Sequence, residues 1–588
     1  MKNVFFGLAL KYDDGVQTQV AMSGSGTIVE VHKSQAFDKL WYHVGSIDKM
    51  NVNWSRSVEY DSGVTPSVAV NRQNRVVEVH KSEWNSGLWY RVGTVTGTQI
   101  HWGTSRKYDS GVRPRVAMND AGVVVEVHES EWNSGLWYHV GRLNGDSVNW
   151  AGSQRYDSGG TPSIAINSHG IVVEVHKSEW NNGLWYHVGR VNGNSISWGP
   201  SLHYDTGASP SVAVTDDGNV IEVHQSQAAG TLWQRFGKIN GDRIDWVGGA
   251  VNFDDGATPS VACASNMAIQ THQSENFATL WSSTSLIVDR ASWMQDNLAA
   301  LQDKTLSTLT VGASHDAGMY LGDSFNLFGK TQDLDLHGQL SNGIRYFDLR
   351  PLWDGSDFYL YHGSALIKGP KLFVVLEDIR RFLEEGHREL VILKFSHYKD
   401  IDDAIYKKMT QMIQHYLERW LYRTLPEGQR LADVSLGSYL ARTATVLAVC
   451  DGDFPVRNPA RGIWVYRDWE SPTAAQGDLR VFDQYANTTD YEKMKNDQLT
   501  KFANYNGKCK VDPNLPCDQF LLSWTLTPIT AVWLYSKEAN RNLGAVMAGL
   551  KVPNQHDCIP NLLYVDYVEY ARATDVAMFQ NNVAHFGT

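Results

Sequence analysis

One interval governs the first half of this chain: 48 residues. A histidine recurs at that spacing as His32, His80, His128, His176, His224 and His272, and a tryptophan as Trp41, Trp89, Trp137, Trp185, Trp233 and Trp281. A turn-like run follows each, as in Tyr60-Asp61-Ser62-Gly63 and Tyr108-Asp109-Ser110-Gly111. A fixed period of this length limits the fold to copies of one small unit, stacked as a solenoid or set in a ring as a propeller. Each unit holds four short β-prone runs separated by Gly, Asn and Asp. In the third unit they are Pro114–Asn119, Val123–His128, Leu136–Gly141 and Ser147–Trp150. Four strands per unit make a propeller blade, so residues 1–294 read as an all-β six-bladed β-propeller. Asn3–Gly15 is in phase with the fourth strand and turn of a unit, with Tyr12 one period before Tyr60. It supplies a strand for the last blade, which closes the ring and removes open edges.

Two features of the repeat invite a functional reading. The recurring Glu-Val-His, as in Glu78 and His80, places a carboxylate and an imidazole on one face of a strand. One such pair per blade spreads ligands around a ring, so a polar ladder between blades is expected and no metal. The polar loops EWNSGLWY and EWNNGLWY present Trp84, Trp132 and Trp180 in the second to fourth units. Large aromatics in such loops stack on sugars or enter a lipid headgroup region. They are the propeller's ligand candidates, for a carbohydrate, a membrane or a protein. In general style the repeats resemble lectin-like propellers.

After Trp293 the period stops, and strand-like runs alternate with helical ones. The strands are read as 308–314, 344–349, 358–362, 389–395, 444–449, 480–485, 520–526 and 561–567. Between the third and fourth, Val375, Leu376, Ile379, Phe382 and Leu383 have helical spacing, with Gly386 as C-cap. A second amphipathic stretch runs from Ile401 to about Arg423. Eight strands alternating with helices predict an α/β TIM-type barrel over residues 295–588. The chain is therefore multidomain.

Composition narrows the partners. A net charge of −12 with no long Lys/Arg run argues against nucleic acid. No apolar run approaches the ~20 residues of a membrane span. MKNVFFGLAL has the look of a signal peptide, but its apolar run is short and the repeat phase explains it better. The five cysteines make no disulfide framework. Cys263 and Cys450 are expected as buried thiols, and Cys509 and Cys517 as a pair able to bridge, with Cys558 as a third candidate.

The chemistry lies in three short stretches: ASHDAGMY (313–320), GIRYFDLRP (343–351) and FYLYHG (358–363). They bring two histidines, two aspartates and an arginine within fifty residues, at or just past strand ends. Two histidines tuned by carboxylates can take one proton and deliver another. An arginine matches a phosphate and stays charged. That is the equipment of a phosphodiesterase in which a neighbouring hydroxyl attacks phosphorus.

These stretches, with Thr331-Gln332, QLSNGIRYFDLR and ELVILKF, resemble the catalytic X domain of bacterial, metal-independent phosphatidylinositol-specific phospholipase C. The resemblance covers the second half of the chain and none of the propeller. It implies His315 as general base oriented by Asp566, and His362 as general acid assisted by Asp316. Arg350 becomes the phosphate-stabilising cation with Asp348 beside it, and no cofactor or metal is needed. In Asp348-Leu349-Arg350 the arginine stands where calcium-dependent relatives place a second acid. Asp483, Tyr485 and Lys394 look like substrate contacts, and Phe328 and Trp533 like aromatics at the membrane interface. The partner implied is phosphatidylinositol or a related phospholipid at a membrane surface, cleaved to diacylglycerol and inositol 1,2-cyclic phosphate. The family's basic residue near the end of the fifth strand has no counterpart in AVCDGD (448–453), which is acidic. An inactive lipid- or glycan-binding protein and another TIM-barrel phosphodiesterase are the alternatives. The resemblance points to a secreted protein, while the sequence alone, with no signal or membrane segment seen, points to the cytoplasm.

Overall fold

Each 48-residue unit folds into one antiparallel sheet. In the third, Val112–Met118, Val123–Glu129, Gly135–Asn144 and Ser147–Trp150 lie side by side in that order. The innermost strands of successive sheets neighbour one another around the ring, and Ala257–Ala264 of the last lies against Val16–Met22 of the first. Their apolar side chains, among them Ala21, Ala69, Ala117, Ala165 and Ala213, line a narrow central channel. The protein is described by a computed structural model that covers the chain except residues 49, 229, 322–328, 364–366, 453, 455–457, 512–518, 529–530, 551–558 and 584–588, and the side chains of 507–511. The chain divides into two units, Asn3–Ile287 and the residues from Val288 onward with Met1 and Lys2.

The ring closes as the repeat phase predicts. Leu10–Asp14 pairs antiparallel with Thr279–Leu286, so the first strand of the chain completes the last sheet. One expectation is corrected. The Tyr-Asp-Ser runs are strands, not turns: Arg106–Ser110, for example, pairs with Gly87–Thr96 of its own sheet. The third strand of most blades is ten residues long, so two short strands share its outer edge. The core sits between neighbouring sheets. Val29, Val31, Tyr42 and Val44 of the first, for instance, pack on Val68, Val70 and Val76 of the second.

The second unit contains a closed barrel of eight parallel strands, namely Val311–Ser314, Tyr346–Leu349, Leu390–Phe395, Thr445–Cys450, Ile463–Asp468, Leu479–Phe482, Gln519–Ser523 and Leu562–Val565. The expected set of strands needs two corrections. Phe358–Tyr361 is not a barrel strand; it is the middle of a three-stranded antiparallel sheet with Pro351–Trp353 and Lys368–Lys371. The fifth barrel strand is Ile463–Asp468, which lies outside the eight expected runs. Ala448–Cys450 of AVCDGD therefore end the fourth barrel strand, not the fifth.

The helix Leu372–Glu384 buries Val375, Leu376, Ile379, Phe382 and Leu383, and Gly386 takes the positive φ of +96° that a helix end of this kind requires. The helix Asp403–Leu417 stops short of Arg423, and Trp420 and Leu421 pack as buried side chains beyond it. At the N-terminal end of the strands the buried Arg345 and Glu389 form an ion pair at 2.7 Å. That mouth is sealed, as the stability face of such a barrel is. Among the described residues no helix is long and apolar enough to cross a membrane. Cys450 is a buried and Cys263 a half-buried free thiol; the pairing expected of Cys509, Cys517 and Cys558 lies outside what is described.

Candidate active site

The C-terminal ends of the barrel strands converge on a cleft of about 420 Å³ lined by His315, Arg350, His362, Lys394, Asp483 and Tyr485, among others. The first strand, buried throughout, delivers His315 just past its end. The turn behind it is braced. Gln332 Nε2 donates to the carbonyls of His315 (2.9 Å) and Val565 (3.2 Å), and Thr331 Oγ1 donates to that of Asp316 (3.0 Å). Asp316 itself sits at φ +40°, outside the ordinary range for its residue type. The eighth strand ends at Val565 and presents Asp566, whose Oδ1 lies 2.7 Å from His315 Nδ1. With Nδ1 donating to that carboxylate, His315 turns Nε2 toward the cleft.

The second histidine arrives from outside the barrel wall. His362 follows the middle strand of the three-stranded sheet, and its Nδ1 faces Asp316 Oδ2. The two imidazoles stand 6.3 Å apart, centre to centre, and nearly perpendicular. Arg350 lies beside them. Its Nε is 2.5 Å from Asp316 Oδ1, and Nε and Nη2 reach Asp348 Oδ2 at 3.1 and 2.9 Å. Tyr564 donates to the same Asp348 oxygen at 2.6 Å. Lys394, from the third strand, is 2.8 Å from Asp483, which also accepts from Tyr466 at 2.7 Å.

This network sets the protonation states. Burial works against a charged His315, but Asp566 and Asp316 outweigh it and raise its pKa above 6.5. Burial alone would raise Asp316 and Asp348; Arg350 overcomes it, lowering Asp316 and holding Asp348 well below the usual carboxylate range. Arg350 is raised in turn, its desolvation outweighed by the two acids. His397, which lines the cleft beside Arg350, is lowered by burial and by that guanidinium. His315, Asp316 and Asp348 are close enough together to hold a metal ion. The guanidinium of Arg350 already occupies both of those carboxylates, so the set is matched to a fixed organic cation and poorly to a second, inorganic one.

The structure thus brings His315, Asp316, Asp348, Arg350, His362, Lys394, Asp483 and Asp566 into one connected cluster, with Tyr485 exposed at the cleft wall. Phe328 lies outside the described residues. Trp533 is half-buried, its ring packed on Tyr567 (4.9 Å) and Tyr570 (4.6 Å), while the exposed neighbours on that helix are Leu534 and Tyr535. Sequence reasoning missed Tyr466 and Asp468, which come from the unrecognised fifth strand, and Tyr564, whose place in NLLYVDY alternates with apolar neighbours. Arg467 adjoins Asp468, and its Nη1 donates to the carbonyl of Tyr466 at 2.7 Å and stands 3.6 Å from Asp451. Two carboxylates, Asp451 and Asp468, against that one guanidinium leave this wall of the cleft net acidic.

Part of this unit is similar to known proteins. Residues 303–439 match the family model "Phosphatidylinositol-specific phospholipase C, X domain". The chain is 29% identical over 154 residues to PI-PLC X domain-containing protein 3 of Bos taurus, covering 21% of this chain and 47% of that protein. It is 30% identical over 142 residues to a 1-phosphatidylinositol phosphodiesterase of Listeria monocytogenes, covering 23% and 42%. The chain spans about half, or less, of the curated relatives it matches. A solved phosphatidylinositol-specific phospholipase C from Listeria monocytogenes aligns with 19% identity and a TM-score of 0.37, over 50% of this chain and 99% of that one. The match to the X-domain model lies within the second unit and not in the propeller.

Proposed function

We propose that this protein is a metal-independent phosphatidylinositol phospholipase C. The observation that carries the reading is the pair His315–Asp566 and His362–Asp316 flanking one guanidinium at the open mouth of the barrel. In the reaction, His315 Nε2 takes the proton of the inositol 2-hydroxyl as that oxygen attacks phosphorus. The attack is intramolecular, which removes most of the entropic barrier. Arg350, held in place by Asp316 and Asp348, neutralises charge on the phosphate oxygens as the new P–O bond forms. The bond to the glycerol oxygen breaks, and His362 delivers a proton to that oxygen. The products are diacylglycerol and inositol 1,2-cyclic phosphate. Lys394, Asp483 and Tyr485 hold the inositol hydroxyls. Asp451 and Asp468 favour the unphosphorylated headgroup, because extra phosphates would meet carboxylates there.

The propeller is read as the part that holds the chain at a bilayer. Trp84, Trp132 and Trp180 are each 85–86% exposed, in the loop between the second and third strands of their blades. Phe37 and Phe277, each 71% exposed, stand in the equivalent loops of the first and sixth blades. Five large aromatics in equivalent loops of one ring suit a membrane interface. Substituting Trp84, Trp132 and Trp180 by Ala tests this: the variant should lose binding to phosphatidylinositol vesicles yet keep its rate on a soluble substrate. Undiminished vesicle binding would remove the propeller from that role.

A further inference from the structure

The Glu-His ladder of the propeller is as the sequence predicts, with His32 Nδ1 3.0 Å from Glu30 and His128 Nδ1 3.1 Å from Glu126. What the period did not reveal is the other side of each imidazole. At three seams between neighbouring blades, a second histidine and an aspartate converge on it. The sets are Asp13, His32 and His43; Asp109, His128 and His139; and Asp157, His176 and His187, with the donor atoms of each set within 4.8 Å of one another. The aspartate Oδ2 lies 2.7–2.8 Å from Nε2 of the second histidine and 3.7–3.9 Å from Nε2 of the first.

The tautomers follow from the outer partners. Nδ1 of His43, His139 and His187 lies 2.8–3.0 Å from a backbone carbonyl, of Ser55, Ala151 and Gly199 respectively, and a carbonyl can only accept. Nδ1 of the first histidine points at a buried glutamate. Both rings therefore carry hydrogen on Nδ1 when neutral, and both aim an Nε2 lone pair at a carboxylate oxygen. Three acceptors facing one another need a proton or a metal ion between them, and at 2.7–2.8 Å the second histidine's Nε2 is within hydrogen-bond reach of the aspartate. Bonds of about 2.1 Å at tetrahedral angles set neighbouring donors roughly 3.4 Å apart, which lies between the distances found. Histidines anchored through Nδ1 to a carboxylate or a carbonyl are the usual outer shell of a zinc ligand.

The other seams supply a control. In the second and fifth blades the second histidine is replaced by Arg91 and Arg235, whose guanidinium atoms lie 2.7 Å from Asp61 and 3.1 Å from Asp205. There the protein places a cation of its own on the aspartate. In the sixth blade the glutamate and second histidine become Gln270 and Ser283, joined to each other at 2.8 Å. The glycine after each Asp-Ser pair belongs to the same design: a Cβ at Gly111 would stand 2.6 Å from His128 Cδ2, so glycine alone lets the aspartate strand close on the ring.

We propose that the seams built on Asp13, Asp109 and Asp157 each bind one divalent transition-metal ion, with two imidazoles from one blade and a carboxylate from the strand before it as ligands. Each aspartate is about a quarter exposed, which leaves a coordination position for water. The ion would tie together the elements on either side of the seam. The test uses the full chain, stripped with a chelator, dialysed against zinc, and assayed by mass spectrometry of total metal. Wild type should hold three more zinc ions than the variant carrying His43→Arg, His139→Arg and His187→Arg, and each single substitution should remove one. The arginines copy what the protein uses at its second and fifth seams. Should the triple variant not fold, Asp13→Asn, Asp109→Asn and Asp157→Asn give a second route to the same count. Zinc should also raise the unfolding temperature of wild type and leave the triple variant unmoved. Equal zinc content in wild type and either folded triple variant would overturn the proposal and leave a shared proton as the bridging cation.

Discussion

The second seam of the propeller and the mouth of the barrel are built from the same parts. In the seam, His80 Nδ1 meets Glu78 at 3.0 Å, its Nε2 stands 4.0 Å from Asp61, and Arg91 lies 2.7 Å from that aspartate. In the barrel, His315 Nδ1 meets Asp566 at 2.7 Å, its Nε2 stands 3.5 Å from Asp316, and Arg350 lies 2.5 Å from that aspartate. Residue types and distances nearly coincide. The difference is what faces the arrangement. Glu78 and His80 are buried under a neighbouring sheet, and Tyr60 fills the remaining acceptor of Glu78 at 2.9 Å. His315 and His362 open on a cleft with room for a headgroup. A histidine, two acids and an arginine make a structural lock when closed over and an acid–base device when a reactant can reach them.

The largest effects should cross over between the two regions. His315→Ala and His362→Ala should each lower turnover on phosphatidylinositol by about a hundredfold or more while leaving the melting curve in place. Glu78→Ala should do the reverse. It strips a buried charge partner from His80 and Tyr60 and should cost about 3 kcal/mol of propeller stability, with the rate on a soluble substrate unchanged. A near-normal rate in either histidine variant would remove that residue from its role, and an unshifted melting curve for Glu78→Ala would collapse the distinction between lock and device. Next in size, replacing Trp84, Trp132 and Trp180 by Ala should weaken vesicle binding by about tenfold or more, since full burial of one large apolar side chain is worth ~1.5–3 kcal/mol and each ring enters the headgroup region only in part.

The smallest effect is a shift in pH dependence. His315 must be neutral to accept a proton, and its neighbouring carboxylates raise its pKa above 6.5. The acid limb of the rate profile should therefore lie above 6.5, with activity lost as pH falls through it. Asp566→Asn removes the largest of the causes that raise it, so the limb should move to lower pH as the maximal rate drops. A limb that stays put would show that another group titrates there.

Much of this was legible in the sequence, for reasons that can be located. The 48-residue period exposed the blades and the closing strand because every sheet must bury the same face. His315, Arg350 and His362 stood out because catalytic residue types ended apolar runs. Four things were hidden. Tyr108-Asp109-Ser110 has the composition of a turn, and only the long third strand beside it makes it a strand. Phe358–Tyr361 has strand chemistry, but nothing local distinguishes a barrel strand from a side hairpin. Asp109 and His139 are thirty residues apart, and only the close approach of one blade's outer strand to the next brings them together. Phe37 and Phe277 escaped because each sits one residue out of phase with the tryptophans.

The claim that most depends on all of this is internal attack at phosphorus driven by paired imidazoles. Phosphorus NMR of the reaction on phosphatidylinositol vesicles reads it directly. The account predicts a five-membered cyclic phosphate as the first product, formed at the wild-type rate and lost in His315→Ala. An acyclic inositol phosphate from the first turnover, or no phosphorus product at all, would contradict it.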